Sequence, residues 1–197
     1  MSCGMSKDWP MGAQFWEQLT RIDLLWGERV RAGGCENCGG PLDRADYPRK
    51  PRGGLGAESA GYARRVSFCC RRDGCRQRAT PPSLRFLGRK VYVGALVIVS
   101  SIVGRAVLAL GGRLRRPVEG VPSRTVGRWL SWWQTVFALS PFWLEAKSFF
   151  ATPVDIAQLP ASLLSRFGAG PSALEKLLGF LAPTTTTSVR ARIAMVE

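Results

Sequence analysis

Two pairs of cysteines carry the clearest chemistry in this sequence. The first pair is Cys35-Glu-Asn-Cys38, followed at once by Gly39, and the second is Cys70 and Cys75, with four residues between them. Two thiolate pairs on tight turns can close a tetrahedral four-cysteine site, the geometry that a structural zinc ion favours. Glycine lets the first turn fold back without a Cβ clash. We therefore predict that Cys35, Cys38, Cys70 and Cys75 bind Zn²⁺.

Cys69 is an alternative fourth ligand, because it adjoins Cys70 in the chain. Alternation along a strand would place Val66, Phe68 and Cys70 on one face and turn Cys69 to the other. The shared face with two apolar residues favours Cys70 as the ligand. Cys3 is expected to stay outside the site.

Two other interpretations of the cysteines compete with a metal. The six cysteines would also suit a disulfide framework. However, residues 1–11 contain no apolar core of signal-peptide length, which points to a reducing compartment where disulfides are rare. A redox-active Cys-x-x-Cys motif would be expected inside a βαβ pattern, and none flanks Cys35. A structural metal is the favoured interpretation.

Positive charge is concentrated in the middle of the chain. The 197 residues carry a net charge of +14, with a sequence pI near 10.6. Between Arg64 and Arg128 there are 15 Lys or Arg and two acids, so +13 of the +14 falls within that window. This localisation predicts a polyanionic partner, nucleic acid first and acidic lipid second. An arginine-rich, solvated face would give the same composition without a partner.

An amphipathic helix is predicted over residues 13–31, before the first cysteine pair. Phe15, Leu19, Ile22 and Trp26 fall at i, i+4, i+7 and i+11, which is one stripe of a helix. The stripe is expected to be a core face or a contact with a second copy of the chain.

A hairpin is predicted around the second cysteine pair. Residues 41–63 are rich in proline, glycine and charged residues, so we expect a long basic loop there. Strands over 62–70 and 76–80 would form the hairpin, which ends at Pro81-Pro82. Four arginines at its tip are candidate phosphate contacts: Arg71, Arg72, Arg76 and Arg78.

Residues 90–110 form the most apolar stretch. At about 1.5 Å per residue this stretch is close to the length that spans a bilayer, so a small membrane protein with one spanning helix at 91–110 is an alternative. Arg105 interrupts the run after 14 uncharged residues. Basic residues flank both ends and leave no inside-positive asymmetry. We therefore predict a core helix, and a membrane is not an expected partner.

A second helix is predicted to open at Ser123, with this serine as its N-cap behind Pro122. Four apolar residues share one face: Val126, Leu130, Trp133 and Phe137. Four polar residues share the opposite face: Arg124, Arg128, Ser131 and Thr135. A recognition helix needs packing behind and hydrogen-bond donors in front, although an ordinary amphipathic surface helix has the same pattern. Three connector arginines ahead of the helix are further candidate phosphate contacts: Arg113, Arg115 and Arg116.

The C-terminal part is divided by prolines into short helices. A third helix is predicted over 142–150, with Trp143 and Phe149 in the core, followed by short helices over 161–167 and 172–181. A loose tail is expected from Thr184 onward.

The two cysteine pairs and the run Gly120-Val-Pro-Ser-Arg-Thr-Val-Gly-Arg-Trp-Leu resemble the zinc-ribbon plus helix-turn-helix front ends of bacterial insertion-sequence transposases and their small accessory DNA-binding proteins. The resemblance covers about residues 13–150, and the second cysteine pair departs from it by its longer spacing. In that family the ribbon and helices bind transposon-end DNA. The resemblance therefore implies that Arg124, Thr125 and Arg128 lie on a recognition helix.

The predicted fold is α+β, with a small four-cysteine zinc ribbon of β-hairpins joined to a mainly α-helical, helix-turn-helix-like domain. The expected boundaries are an N-terminal amphipathic helix at 1–34, the zinc ribbon with its long basic loop at 35–83, the helical DNA-binding domain at 84–152, and short C-terminal helices with a tail at 153–197.

The predicted function is zinc-dependent DNA binding, in a transposon-associated protein or a transcriptional regulator, with a zinc-stabilised RNA-binding module as an alternative. Transposase or nuclease chemistry needs convergent carboxylates or a His or Tyr. The chain has no histidine, its three tyrosines (Tyr47, Tyr62 and Tyr92) precede or border the first core helix, and few acids follow Glu119, so any catalysis is expected from a partner. The expected partners are duplex DNA and a second copy of the chain or a transposase or recombinase. The expected location is the cytoplasm, on the nucleoid.

Overall fold

The computed structural model describes residues 12–49, 62–87, 92–114 and 120–186. These residues form six α-helices and five short strands in antiparallel sheets, so the predicted α+β class is confirmed. They fall into two compact units. The described residues of 12–94 and 178–186 form the first, which we call the cysteine unit, and those of 95–177 form the second, which we call the helical unit.

The cysteine unit begins with helix α1, Ala13–Gly33. The predicted stripe is right at Phe15 and Leu19 but wrong at Ile22 and Trp26, which are only half-buried. The helix packs through a face that also contains a charged residue and a glycine, which an apolar pattern does not reveal. Its buried residues are Phe15, Trp16, Leu19, Asp23, Gly27 and Val30.

Five strands complete the cysteine unit. They are β1 Leu42–Arg44, β2 Tyr47–Pro48, β3 Arg64–Arg65, β4 Phe68–Cys70 and β5 Arg78–Ala79. Strand β4 lies at the centre of a three-stranded antiparallel sheet in the order β1-β4-β5, and β2 pairs with β3 in a second sheet. The predicted hairpin is confirmed, because β4 pairs with β5. The predicted loop over 41–63 is wrong where β1 and β2 lie, since pairing with distant strands makes strands of two or three residues.

A buried ion pair fixes the segment that follows β5, in which residues 81–87 are all buried. Asp23 and Arg85 are 0% and 1% exposed, and Arg85 Nε lies 2.9 Å from Asp23 Oδ2. Asp23 also accepts hydrogen bonds from the Leu84 amide, at 2.7 Å, and from the Ser83 hydroxyl. The segment is therefore tied to α1 by three hydrogen bonds to one carboxylate.

Arg65 is a second arginine inside the cysteine unit. It is 2% exposed and donates to the carbonyls of Pro81 and Pro82. Burial lowers the pKa of Arg65 to about 10, so the group keeps its charge at neutral pH. Arg65 and Arg85 were both counted in the basic window of the sequence, but neither contributes to the surface.

The start of the C-terminal segment is anchored, so the predicted loose tail is wrong at its first residues. Thr185 Oγ1 accepts from the Ser83 amide at 2.9 Å, and Thr186 Oγ1 donates to the Thr80 carbonyl at 2.6 Å. Both bonds lie within the cysteine unit.

Helix α2, Gly94–Ala109, replaces the longer helix predicted over 90–110. Residues 95–101 are buried, as expected of a core helix, whereas its last turns are mostly exposed. Arg105 Nε donates to the Leu159 carbonyl at 3.1 Å. Across the described ranges, no helix combines the length and the apolar character needed to cross a bilayer.

Helix α3, Ser123–Trp132, continues as one π-helical turn, Trp133–Phe137. The predicted apolar face is confirmed, because Val126, Leu130, Trp133 and Phe137 are all buried. The predicted N-cap is wrong. Pro122 occupies the cap position without a side-chain hydrogen bond, and Ser123 is the first residue of the helix.

Three short helices complete the fold: α4 Pro141–Ala146, α5 Ala161–Leu164 and α6 Gly170–Leu181. Ser140 caps α4 by accepting from the Trp143 amide. Trp143 is buried as predicted, but Phe149 is 80% exposed and does not belong to the core. The 3₁₀ turn Lys147–Phe149 carries this side chain past the end of α4.

Candidate metal centre

The four predicted cysteines converge in the cysteine unit. The sulfur atoms of Cys35, Cys38, Cys70 and Cys75 all lie within 4.8 Å of one another. The separations are 3.7 Å between Cys35 and Cys75 and 3.5 Å between Cys38 and Cys70. Disulfide sulfurs would be about 2.05 Å apart, and the five described cysteines are free thiols. This cluster could hold a metal ion.

Two backbone hydrogen bonds close the first cysteine turn, which runs from Cys35 to Gly40. The Gly39 amide donates to the Cys35 carbonyl at 2.8 Å, and the Cys35 amide donates to the Gly40 carbonyl at 2.9 Å. Gly39 has a φ of 68°, in the left-handed region that favours glycine. A Cβ on Gly40 would lie 3.2 Å from the sulfurs of both Cys38 and Cys70. Gly39 therefore supplies the left-handed backbone of the turn, and a side chain at position 40 would push against the two sulfur atoms.

The second cysteine turn starts at the end of β4 and runs from Cys70 to Cys75. The Cys75 amide donates to the Arg72 carbonyl at 3.1 Å, so four intervening residues still make a compact turn. Cys70 is fully buried, with Val66 and Phe68 in the same core cluster. Cys69 is half-buried, lies outside the four-sulfur group and has its Sγ 3.4 Å from the Arg76 carbonyl. Strand alternation therefore places Cys70 in the cluster rather than Cys69.

The two thiols of the second turn differ in acidity when no metal is bound. Burial raises the pKa of Cys70 to about 12, whereas a hydrogen bond from the Asn37 side chain lowers the pKa of Cys75 to about 6. A metal must therefore displace the Cys70 proton, so protons compete with metal binding.

Asn37 is a site residue that the sequence analysis missed. Its Nδ2 atom donates to Cys75 Sγ at 3.4 Å and so links the first turn to the second. An amide donor immediately before Cys38 was visible in the sequence, but its partner lies on a turn far along the chain. A contact of this kind cannot be read from spacing.

The four arginines predicted at the hairpin tip are all exposed, but their surroundings differ. Arg71 forms a two-pronged ion pair with Asp43 across the sheet, and its hydrogen bonds lower the pKa of that carboxyl. Arg72 Nη1 donates to the Cys38 carbonyl at 3.0 Å. Arg78 Nη1 donates to the Ala45 carbonyl and to Ser67 Oγ. Arg76 adopts a left-handed φ of 47° after the second turn.

The remaining candidate nucleic-acid contacts are distributed over the helical unit. Arg124 and Arg128 are exposed on α3, and Thr125 is half-buried beside them. Arg113 is exposed after α2, whereas Arg115 and Arg116 lie outside the described residues. Among the described residues, no ion pair joins Arg113, Arg124 or Arg128 to an acid.

Comparison with known proteins adds no relative. No family model, curated protein or solved structure matches this chain. The functional argument therefore rests on the residues and their geometry.

Thiol alkylation of the metal-loaded chain should separate Cys69 from the four-sulfur cluster. We expect N-ethylmaleimide to label Cys69 and to spare Cys70, because a thiolate bound to a metal is a poor nucleophile toward the reagent. Chelation and denaturation should expose all six cysteines of the chain. Peptide mapping by mass spectrometry measures the pattern. Labelling of Cys70 with protection of Cys69 would show that Cys69, and not Cys70, is the fourth metal ligand.

Proposed function

We propose that this chain is a zinc-stabilised protein that binds duplex DNA, in a transposon-associated role or as a transcriptional regulator. The observation that carries the proposal is helix α3. Helix α3 and its π-helical continuation pack through Val126, Leu130 and Trp133, and α3 exposes Arg124 and Arg128, neither of which forms an ion pair with an acid among the described residues. A helix held from behind with free donors in front suits insertion into a DNA groove. Helix α3 would then be the recognition helix of a helix-turn-helix-like domain.

Zinc is the metal proposed for the four-cysteine cluster. A tetrahedral site with Zn–S bonds of about 2.3 Å has sulfur atoms about 3.8 Å apart, close to the 3.5 and 3.7 Å of the two measured pairs. Four thiolates with no oxygen or nitrogen donor suit zinc or iron better than Mg²⁺ or Ca²⁺. A closed four-cysteine shell leaves no open position for substrate, so the role proposed for the metal is structural. The two cysteine turns and their hairpin would form a zinc ribbon.

The arginines around the second cysteine turn are proposed to contact phosphates. Arg72 and Arg76 are exposed, and neither forms an ion pair with a described acid. Arg71 is expected to contribute less, because Asp43 already neutralises it. Contacts of this kind raise affinity for any sequence and make it fall with salt, whereas the α3 arginines would read base edges.

Two sets of variants, one at the second cysteine turn and one on α3, test this division of labour. Arg76→Gln should weaken binding to every duplex alike and reduce the slope of log affinity against log salt by roughly 0.9. Arg124→Ala or Arg128→Ala should cost about 1–3 kcal/mol on the preferred sequence and much less on random DNA. Fluorescence anisotropy over a range of salt concentrations measures both effects, after selection of the preferred sequence from a random pool.

Arg21→Ala provides the control for net charge, because Arg21 is exposed on α1 and outside the basic window. It should leave binding nearly unchanged. Equal losses for both sets on every sequence would remove the recognition role of α3. Competition with single strands and structured RNA completes the test, and a preference for RNA over duplex DNA would contradict the proposal.

A further inference from the structure

Two of the four clustered thiols lie toward the surface of the cysteine unit. Cys35 and Cys70 are buried, whereas Cys38 and Cys75 are half-buried. Cys75 is flanked in the chain by exposed residues on both sides. A reagent or a competing chelator therefore reaches the cluster first at Cys38 or at Cys75, which are one thiol from each turn.

Asn37 brings a side-chain donor to the accessible thiol of the second turn. Its Nδ2 atom donates to Cys75 Sγ at 3.4 Å, although the two residues belong to different turns. The Gln77 backbone amide donates to the same sulfur. Two backbone hydrogen bonds close the turn that carries Asn37, so a fixed backbone presents this amide to the sulfur. Because the turn is already ordered, the bond costs little conformational entropy.

The charge of a filled metal site explains why such a donor matters. Four thiolates around one Zn²⁺ ion leave two excess negative charges on the site. Hydrogen bonds to a charged acceptor are about twice as strong as those between neutral groups, so the bond from Asn37 offsets part of this charge. The bond also draws electron density from the sulfur and makes it a weaker nucleophile. The same amide thus stabilises the filled site and shields one of its two accessible ligands.

We propose that Asn37 is a positioning residue of the metal centre, which acts through Cys75 to raise the affinity for the metal and to protect this ligand from electrophiles. Removal of a group that hydrogen-bonds to a metal ligand typically costs about 10–100-fold in metal affinity. The role belongs to the side chain, because the amide lies on one turn and its acceptor on the other. This inference rests on the proposed zinc centre and names a residue that controls its stability and its reactivity.

Asn37→Leu and Gln77→Leu are matched variants of the full chain, since each replaces an exposed amide beside the cluster and Gln77→Leu keeps the backbone donor to Cys75. Asn37→Leu should weaken zinc binding at least about tenfold in competition with a chromogenic chelator. In the zinc-loaded chain it should raise the rate of N-ethylmaleimide alkylation at Cys75 relative to Cys38 by about fivefold or more. With Co²⁺ in the site, the sulfur-to-cobalt charge-transfer band should move to longer wavelength. Gln77→Leu should change none of the three.

A merely structural role for Asn37 would give a different pattern, because Asn37 adjoins Cys38 in the chain and a loosened first turn would expose Cys38. Faster alkylation of Cys38 with Cys75 unchanged would therefore overturn the proposal. Asn37→Gln keeps an N–H donor and should hold the metal even if Asn37→Leu does not. Loss of the metal from both variants would show that position 37 acts by its shape and would also overturn it.

The same measurements separate this inference from the zinc centre on which it rests. If Asn37→Leu matches the native chain in zinc affinity, alkylation and cobalt spectrum, the role of Asn37 is overturned and the zinc centre stands. A native chain that binds no zinc overturns both.

Discussion

Removal of the metal should unfold the cysteine unit. A structural zinc site contributes about 10–16 kcal/mol to folding, which matches or exceeds the whole stability of about 5–15 kcal/mol of an ordinary domain. The strands around the site are only two or three residues long, and two of the four clustered cysteines, Cys35 and Cys70, belong to the core cluster of this unit. Little else would hold the turns together. Chelation should therefore abolish amide protection in β4 and β5, as measured by hydrogen exchange.

Cysteine variants, assayed by metal content and by hydrogen exchange, identify the ligands. Cys35→Ser and Cys70→Ser should each lose the metal and the protection of β4. Cys69→Ser is the matched control, because it changes the adjacent residue on the other face of the strand and should keep one metal per chain. Elemental analysis of the purified variants gives the ratio. A full complement of metal in both Cys35→Ser and Cys70→Ser would refute the four-cysteine site.

The four-cysteine cluster could be predicted from the sequence because its determinants are local. Two short-range cysteine pairs set the turns, and alternation over Val66, Phe68 and Cys70 chose the fourth thiol. Strands β1 and β2 could not be predicted, because two or three residues are too few to show alternation. They become strands only by pairing with β4 and β3, which are distant in the chain.

The packing face of α1 shows a second limit of pattern analysis. Asp23 and Gly27 lie at its centre, where an apolar stripe would exclude both. Gly27 is needed because a Cβ there would lie 2.9 Å from Val66 Cγ1. Composition has a similar limit, since it counts Arg65 and Arg85 as basic surface although both are buried. Whether an arginine adds to the surface charge depends on whether the fold buries its side chain, and composition does not show this.

Asp23→Asn should destabilise the cysteine unit by about 3–5 kcal/mol, the cost of leaving one partner of a buried ion pair without its counter-charge. The amide removes the negative charge opposite Arg85, which is 1% exposed. Its single oxygen cannot serve all three donors that Asp23 now accepts from: Ser83 Oγ, the Leu84 amide and Arg85 Nε. Hydrogen exchange of the α1 amides at increasing urea concentrations reports the stability of this unit.

Glu28→Gln controls for the same chemical change on the same helix. Glu28 pairs with Arg31 at 3.7 Å, and both side chains are more than half exposed, so its loss should cost far less. The double variant Asp23→Leu, Arg85→Met removes both charges and should recover part of the stability that either change alone would lose. It should remain below the native protein, because the Leu84 N–H and the Ser83 hydroxyl would lose their acceptor at about 1–3 kcal/mol each. If Asp23→Asn cost no more than Glu28→Gln, the ion pair would not be what ties residues 81–87 to α1, and apolar packing alone would have to hold that segment.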